Sequence, residues 1–589
     1  MSSKKLPQFA IFEDTLTDSE NYYFYNPIKE IIAYDRDSLE LAFCELEMLQ
    51  QQGLYLAGYI SYEASYYLKD ELKHLRLSND EKPLLHFVAF KDLSYDVPSF
   101  SCAEASISLM LDSLSLDDYL VDFEKVQQAL INGESYQINL TKSIKANTEF
   151  SSLEIYESLK QSQLVKYAAY LPFLNPDIIS ISPELFFKKE NNNILVKPMK
   201  GTARLSGDEQ KDLEIFEELK FCDKNKAENL IIVDLLRNDL SGIANVHTVK
   251  VDKLFSIEKY KNLLQMTSQI SANVDKQISF KRILDSLFPC GSITGAPKKR
   301  TMELIAQIER QKRGVYTGSI GYILPNNDMC FNVAIRTIQK YQDSMQIGVG
   351  GGITVYSDAE SEWHEMDTKI GFIKRIYKPN FSLIESLYYH NGFKYLDLHL
   401  ERLESSARRL FFDIDIKDIK SQLETYSKKL EENKEYKIRL EYSYDKSLII
   451  EHNQIETSSI ESIKLIVCPE KINSKNKLFQ YKITHNSTRG FYTQMHNKYI
   501  AKQKDVELIF LNENNYITET RFHNIIIEKD SQLYTPKLDD GVLDGVARKS
   551  MIIEKKLKLK SLSIDDLKSA DQIYLINSVR GLIPVYLEV

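Results

Sequence analysis

Lys197-Pro198-Met199-Lys200-Gly201-Thr202, with Ser182-Pro183-Glu184 upstream of it, is the stretch from which the rest of the chain can be read. The apolar run Ile194 to Val196 predicts a strand that gives way to a Gly-Thr turn, and Lys200 stands at that change. A lysine fixed there and stripped of water is a candidate nucleophile. Glu184 closes another apolar run and is placed to face the same cleft as a general acid. On residue chemistry alone, a surface lysine beside a turn is the plainer account. The company these residues keep further along the chain overturns it.

At 589 residues the chain is too long for a single core, so two or more domains are expected. Apolar residues make up 43% and charged residues 27%, the balance of a soluble globular protein. Net charge is −9 with Lys and Arg scattered among Asp and Glu, which leaves no basic footprint for nucleic acid. No apolar run reaches spanning length, and Met1 to Pro7 lacks an apolar signal core, so neither membrane insertion nor secretion is expected. Cys44, Cys102, Cys222, Cys290, Cys330 and Cys468 form no C-x-x-C pair, which reads as reduced thiols and a cytoplasmic protein.

Residues 1–115 read as strand-rich, with one helix from Ser38 to Gln51. An amphipathic helix from Asp117 to Asn132, ended by Gly133, opens a run of alternating strands and helices over residues 116–378. The Lys378-Pro379-Asn380 turn marks a boundary, after which Phe381 starts a fresh strand and Asp397 to Phe412 a helix. The expected architecture is mixed, α+β and α/β, with residues 1–115 the N-terminal part of a first catalytic unit and residues 381–589 a second unit.

Four further segments bear on the first unit. Glu134-Ser135-Tyr136-Gln137-Ile138-Asn139-Leu140-Thr141 opens it, and Lys226 to Asp239 forms an apolar helix carrying Glu228. Gly291-Ser292-Ile293-Thr294-Gly295-Ala296-Pro297-Lys298 follows, then Gly348 to Thr354 leading into Glu360 to Lys369. Glu362 and Glu365 project from one helix face, and with Glu228 they would make a hard oxygen site suited to Mg2+. A solvated acidic face without metal fits the same spacing. Gly350 and Gly352 let the backbone come close to a ligand and offer its amides. Arg336, closing the apolar run Phe331 to Ile335, can hold a carboxylate with two parallel hydrogen bonds, and Thr294 adds a hydroxyl donor.

As an ordered set these segments resemble the chorismate-utilising enzymes over roughly residues 115 to 375. That family includes anthranilate, aminodeoxychorismate, isochorismate and salicylate synthases. The resemblance implies a large two-sheet fold that binds chorismate and Mg2+, with Tyr316 also in the substrate site. Anthranilate synthases carry alanine where this chain has Lys200, whereas aminodeoxychorismate synthases read Pro-x-Lys-Gly-Thr. The implied route is covalent: Lys200 attacks C2 of chorismate while Glu184 assists departure of the C4 hydroxyl, ammonia adds at C4, and the lysine leaves. Many relatives have histidine where the Tyr260 to Thr267 segment has Gln265, so no proton-transfer duty passes to that position.

In the second unit, Leu396 to Ala407 contains Arg402, Tyr516 to Ile526 contains Glu519, and Gly541 to Arg548 contains Gly545, Val546 and Ala547. Asn577-Ser578-Val579-Arg580-Gly581 closes the set. The glycine turn entering a helix can receive a phosphate on its amides, with Arg402 as countercharge, and Glu519 can pair with a protonated pyridine nitrogen. Together they resemble the fold-type IV pyridoxal-phosphate enzymes, the family of branched-chain aminotransferases and aminodeoxychorismate lyase. The cofactor-bearing lysine has two alignments. Reading forward along an expected strand, Leu478 to Tyr481, gives Lys482; counting back from Glu519 gives Asn486, which would leave the unit without its chemistry. Lys482 is favoured, because Thr484 recurs two places on.

The resulting expectation is a bifunctional enzyme that makes 4-aminobenzoate, a folate precursor, from chorismate, with Mg2+ and pyridoxal phosphate as cofactors and Arg580 in the second substrate site. None of the cysteines lies in a Gly-x-Cys-x-Gly elbow, so ammonia is expected from solution or from a separate glutamine amidotransferase subunit. A homodimer through the second unit is a further expectation. The competing readings are an anthranilate or isochorismate synthase, and a second unit that serves only interaction.

Overall fold

Alternation along the strands decides how the first unit is layered. In the strand Tyr55–Ile60, Leu56 and Ile60 enter one apolar cluster while Ala57 and Tyr59 enter another. The strand Leu85–Ser94 repeats the division, with Leu85, Phe87 and Ala89 on one side and Val88 and Phe90 on the other. Strands apolar on both faces must be covered on both faces. The first cluster is closed by helices Arg36–Gln51 and Phe280–Leu287, the second by strand residues Ala169, Leu171 and Ile178.

The computed structural model describes residues 8–588 except 18, 77–81, 113–115, 174–175, 260–262, 310, 456–462, 502 and 504. The chain divides into two compact units, residues 1–377 and 378–589. In the first, eighteen strands among the described residues are hydrogen-bonded into one continuous sheet. The early strands are woven into it: Phe9–Glu13 pairs with Tyr167–Leu171, and Tyr55–Ile60 with Ser319–Ile323.

Two pairings position the site. Gln137–Asn147 lies antiparallel to Ser344–Ile353, so that Gly350, Gly351 and Gly352 stand opposite Thr141, Leu140 and Asn139. Met199–Arg204 pairs with Leu263–Asn273, and Gly201-Thr202 is therefore strand rather than the expected turn. The register slips between Met199↔Thr267 and Thr202↔Gln265, which leaves one extra residue on the Lys200 strand. A bulge of this kind re-aims a side chain, and Gly201 supplies its positive φ of 79°.

The second unit contains a three-stranded sheet (Leu383–Tyr389, Tyr436–Tyr442, Leu448–Gln454) and a seven-stranded sheet running from Ile463–Val467 to Gly581–Leu587. The strand expected at Leu478 to Tyr481 is a 3-10 turn, Lys477–Gln480. Extended chain begins at Lys482 instead, where the Ile384 amide donates to the Lys482 carbonyl at 2.8 Å and Ile483 bridges to Leu383. Among the described residues no helix is long and apolar enough to cross a membrane.

Candidate active sites

Glu184 lies in the connection between strands Asp177–Ser182 and Leu185–Glu190. The Val333 amide donates to its carbonyl at 3.0 Å, and the Ser182 hydroxyl donates to the Val333 carbonyl at 2.6 Å. Its side chain is buried and accepts a hydrogen bond from the Ser292 hydroxyl at 2.8 Å. Burial pushes this carboxyl up to about 7, against the Ser292 hydrogen bond and the positive charges of Lys200 and Lys369. A carboxylic acid that keeps its proton near neutrality is suited to protonating a leaving group.

The bulge carries Lys200 Nζ to 3.6 Å from Glu228 Oε2 on helix Asp223–Ser241. The same ammonium lies 3.3 Å from where a Cβ on Gly352 would stand, so only glycine leaves that space open. Glu362 and Glu365 lie on helix Ala359–Lys369, and a Cβ on Gly351 would come within 3.2 Å of Glu362 Oε2. Each of the three carboxylates faces a lysine: Lys224 stands 3.6 Å from Glu362 and Lys369 2.8 Å from Glu365. Burial raises Glu362, with Glu365 pushing the same way. In Glu365 burial is outweighed by Lys369, Lys224 and Lys200, and the carboxyl is held below its ordinary range. Among the described residues no three His, Cys, Asp or Glu side chains stand as a ready metal cluster.

The remaining expected residues differ in their settings. Arg336 does not close a strand; it takes a φ of 49° between Met329–Val333 and Thr337–Lys340. No carboxylate among the described residues pairs with it, and burial, with Arg375 nearby, lowers its guanidinium to about 10. Tyr316 is buried, its ring filling the space beside Gly348, where a Cβ would lie 2.1 Å from it. The Thr294 hydroxyl donates to the Cys290 carbonyl, so its proton is already spent and it can only accept from a ligand. Gln265 is buried opposite Thr202 and Glu258; residues 260–262 of its segment lie outside the described residues.

In the second unit, burial lowers the Lys482 ammonium well below the ordinary lysine range; Glu385 opposes this, while Arg402, Arg489 and Lys437 add to it. Asn486, the rival position, is exposed at the start of the turn Asn486–Gly490. Arg402 is not a free countercharge. Its Nε and Nη2 donate to Glu385 at 2.8 and 2.6 Å, and Nη1 donates to the Asp544 carbonyl at 2.9 Å, tying the arginine to the glycine loop. Burial would raise Glu385, but Arg402 and His399 hold it well below its usual range. Glu519 is buried and accepts from Tyr492 at 3.2 Å and from Asn524 and the Leu543 amide at 3.1 Å each. Burial nevertheless pushes it up to about 7. A Cβ on Gly545 would lie 1.9 Å from Asn524 Oδ1, and helix Val546–Ile553 begins there with no side-chain cap on its first amides. Arg580 is exposed on the turn after Gln572–Asn577.

Residues 98–375 match the family model described as chorismate binding enzyme, and residues 384–587 match amino-transferase class IV. The chain joins a chorismate-binding-enzyme domain to a class IV amino-transferase domain. It is 36% identical over 256 residues to aminodeoxychorismate synthase component 1 of Salmonella typhimurium, covering 44% of this chain and 56% of that one. It is 28% identical over 387 residues to anthranilate synthase component 1 of Saccharolobus solfataricus, covering 62% of this chain and 90% of that one. The crystal structure of anthranilate synthase component I from Streptococcus pneumoniae TIGR4 aligns with a TM-score of 0.53 at 21% identity, covering 63% of this chain and 94% of that one. At that identity the likeness shows the fold. The chain spans 35% to 58% of the length of the first aminodeoxychorismate synthases it matches.

Three residues of these domains carry no local signal that reading by periodicity would find. In the chorismate-binding-enzyme domain, Ser292 holds the Glu184 carboxyl, and Gln137 is fully buried with both amide atoms unpartnered, 2.2 Å from a Cβ built on Gly352. Both lie in motifs that stand out in the sequence, yet neither side chain announces its target. In the amino-transferase domain, Glu385 sits on strand Leu383–Tyr389 among apolar neighbours, where a lone buried carboxylate is the available clue.

Proposed function

We propose that the chain converts chorismate and ammonia to 4-amino-4-deoxychorismate in its first unit and releases pyruvate from that product in its second, giving 4-aminobenzoate. The observation that carries the reading is Lys200, aimed by a β-bulge into the space that Gly352 leaves open, with the buried acid Glu184 within its field. Lys200 Nζ forms a bond to C2 of chorismate, the ring double bond shifts, and the C4 hydroxyl departs as water with the Glu184 proton. Ammonia then bonds to C4 and Lys200 is expelled from C2, so one difficult substitution is divided into two easier ones. Arg336, which pairs with no carboxylate among the described residues, is available for a substrate carboxylate. Glu228, Glu362 and Glu365 would hold Mg2+, which supplies positive charge for a carboxylate; their oxygen donors suit it, and the lysines now facing them provide the same countercharge.

The second unit's residues fit pyridoxal phosphate. The Gly545 cradle with its uncapped amides suits a phosphate, and Glu519 faces a position for a pyridine nitrogen. The cofactor supplies an electron sink. Lys482, whose charged form burial disfavours, takes the proton from C4, the carbon bearing the amine; the C3–O bond then breaks, the ring becomes aromatic, and the departing enolpyruvate takes up a proton to become pyruvate. Ammonia would come from a separate glutamine amidotransferase, a homodimer would form through the second unit, and the cytoplasm would house the protein, in keeping with its free cysteines.

Product analysis with chorismate, Mg2+, ammonium and pyridoxal phosphate tests the whole reading. 4-Aminobenzoate supports both halves, aminodeoxychorismate alone supports only the first, and anthranilate would overturn the assignment.

A further inference from the structure

The strand Gln137–Asn147 carries a charge on its apolar face. It pairs with Ser344–Ile353 in unbroken register, so its side chains alternate without a slip and Ile138, Leu140, Lys142 and Ile144 share one side. The three apolar residues are buried, and so is Lys142, whose side chain is 0% exposed. A leucine would suit that place. Burying an ammonium there instead is unfavourable unless the fold matches it closely.

The match comes from one helix. Lys142 Nζ lies 4.0 Å from the centre of the Trp363 ring and 3.5 Å from Asp367 Oδ1, both on helix Ala359–Lys369. An indole face and a carboxylate each attract the cation. Trp363 and Asp367 are four residues apart, so they stand one above the other on a single face. The indole is buried, and its Nε1 has no hydrogen-bond partner among the described residues, so no hydrogen bond fixes the ring. Lys142 fixes it from the strand, together with Tyr119, whose ring centre lies 4.9 Å away.

The same helix carries Glu362 and Glu365 on its adjoining face. There Lys369 Nζ donates to the Gly350 carbonyl at 2.9 Å, but Lys369 also pairs with Glu365. A metal ion held by Glu365 competes with that lysine. The Lys142 contacts fall on residues that are not candidate ligands, and Lys142 stands opposite Val349, next to Gly350 on the neighbouring strand. They therefore set the rotation of the helix whether or not a cation is bound.

We propose that Lys142, acting through Trp363 and Asp367, is a positioning residue that turns Glu362 and Glu365 toward one metal ion. The proposal rests on the Mg2+ reading above and adds what holds the ligands in place, since groups behind the ligands of a metal tune its affinity.

The test is calorimetric titration of the full chain with Mg2+ alone, without chorismate. Lys142→Met suits the apolar face and is expected to fold, and its Mg2+ dissociation constant is expected to rise roughly tenfold or more. Lys142→Arg keeps a cation over the ring and should stay within about threefold of wild type. Asp367→Asn leaves the buried strand untouched and should weaken binding in the same direction; where Lys142→Met does not fold, it decides alone. Aminodeoxychorismate formation by Lys142→Met should return when Mg2+ is raised by the same factor, which loss of packing alone would not produce. The chain has one tryptophan, so the indole signal in near-ultraviolet circular dichroism reads Trp363, and it should change in Lys142→Met. An unchanged indole signal, or Mg2+ affinity within about twofold of wild type in the folded Lys142→Met and Asp367→Asn variants, overturns the proposal. A wild type that takes up no Mg2+ overturns the metal reading and the proposal with it.

Discussion

Replacing Glu184 by glutamine separates the burial of this acid from its chemistry. The carboxyl moves from an ordinary 4.5 to about 7 because it is buried, which at ~1.4 kcal/mol per pH unit is roughly 3 kcal/mol. Between those two values the folded protein holds a proton that the unfolded chain has released. The Glu184 contribution to stability is therefore full below pH 4.5 and is lost as pH rises through about 7. Glutamine keeps the shape, still accepts from Ser292, and never ionises. Over the 377 residues of the first unit, at about 2 cal/mol/K per residue, unfolding entropy is near 0.8 kcal/mol/K, so roughly 3 kcal/mol corresponds to ~4 °C. Thermal unfolding of the first-unit transition should show Glu184→Gln level with wild type near pH 4.5 and about 4 °C above it at pH 8. Aminodeoxychorismate formation should meanwhile fall about 10²- to 10⁴-fold, and wild-type activity should decline above about pH 7 as the acid loses its proton. The burial argument is refuted by a stability gap that is the same at both pH values. The acid role is refuted by a variant that keeps wild-type turnover.

Three other outcomes are expected. Lys200→Ala should slow 4-aminobenzoate synthesis by at least about a thousandfold with the fold intact, and wild-type turnover on ammonium would rule out the covalent route. Chelation should abolish the first half-reaction and added Mg2+ restore it, while pyruvate release from supplied aminodeoxychorismate continues; failure of both halves together would assign the metal to structure. Lys482→Ala should remove the bound-cofactor absorbance and pyruvate release yet leave aminodeoxychorismate formation unchanged. Borohydride reduction and peptide mapping check that residue directly, and label on another lysine, such as Lys498, would displace it.

Much of this protein is legible from the chain itself. The order of Glu184, Lys200, Glu228, Thr294, Arg336, the glycine run and Glu362 points to one chorismate-binding-enzyme domain, and the second ordered set points to an amino-transferase domain after it. Periodicity and breakers are local properties, so the helix expected from Asp117 is found at Leu116–Ile131, with Gly133 at a φ of 74° behind it. What only the tertiary structure decides is which groups meet across long separations. Ser292 reaches Glu184 from 108 residues away, and the direction of Lys200 depends on a one-residue slip against a strand more than sixty residues on. The same holds for Arg402, whose place on a helix is readable but whose pairing with Glu385 is not, and for Thr294, whose hydroxyl turns to the Cys290 carbonyl. A side chain's type sets what it can bind. Its partner is chosen by the packing of distant strands, because a buried charge or donor must be matched by whatever group the fold brings within reach.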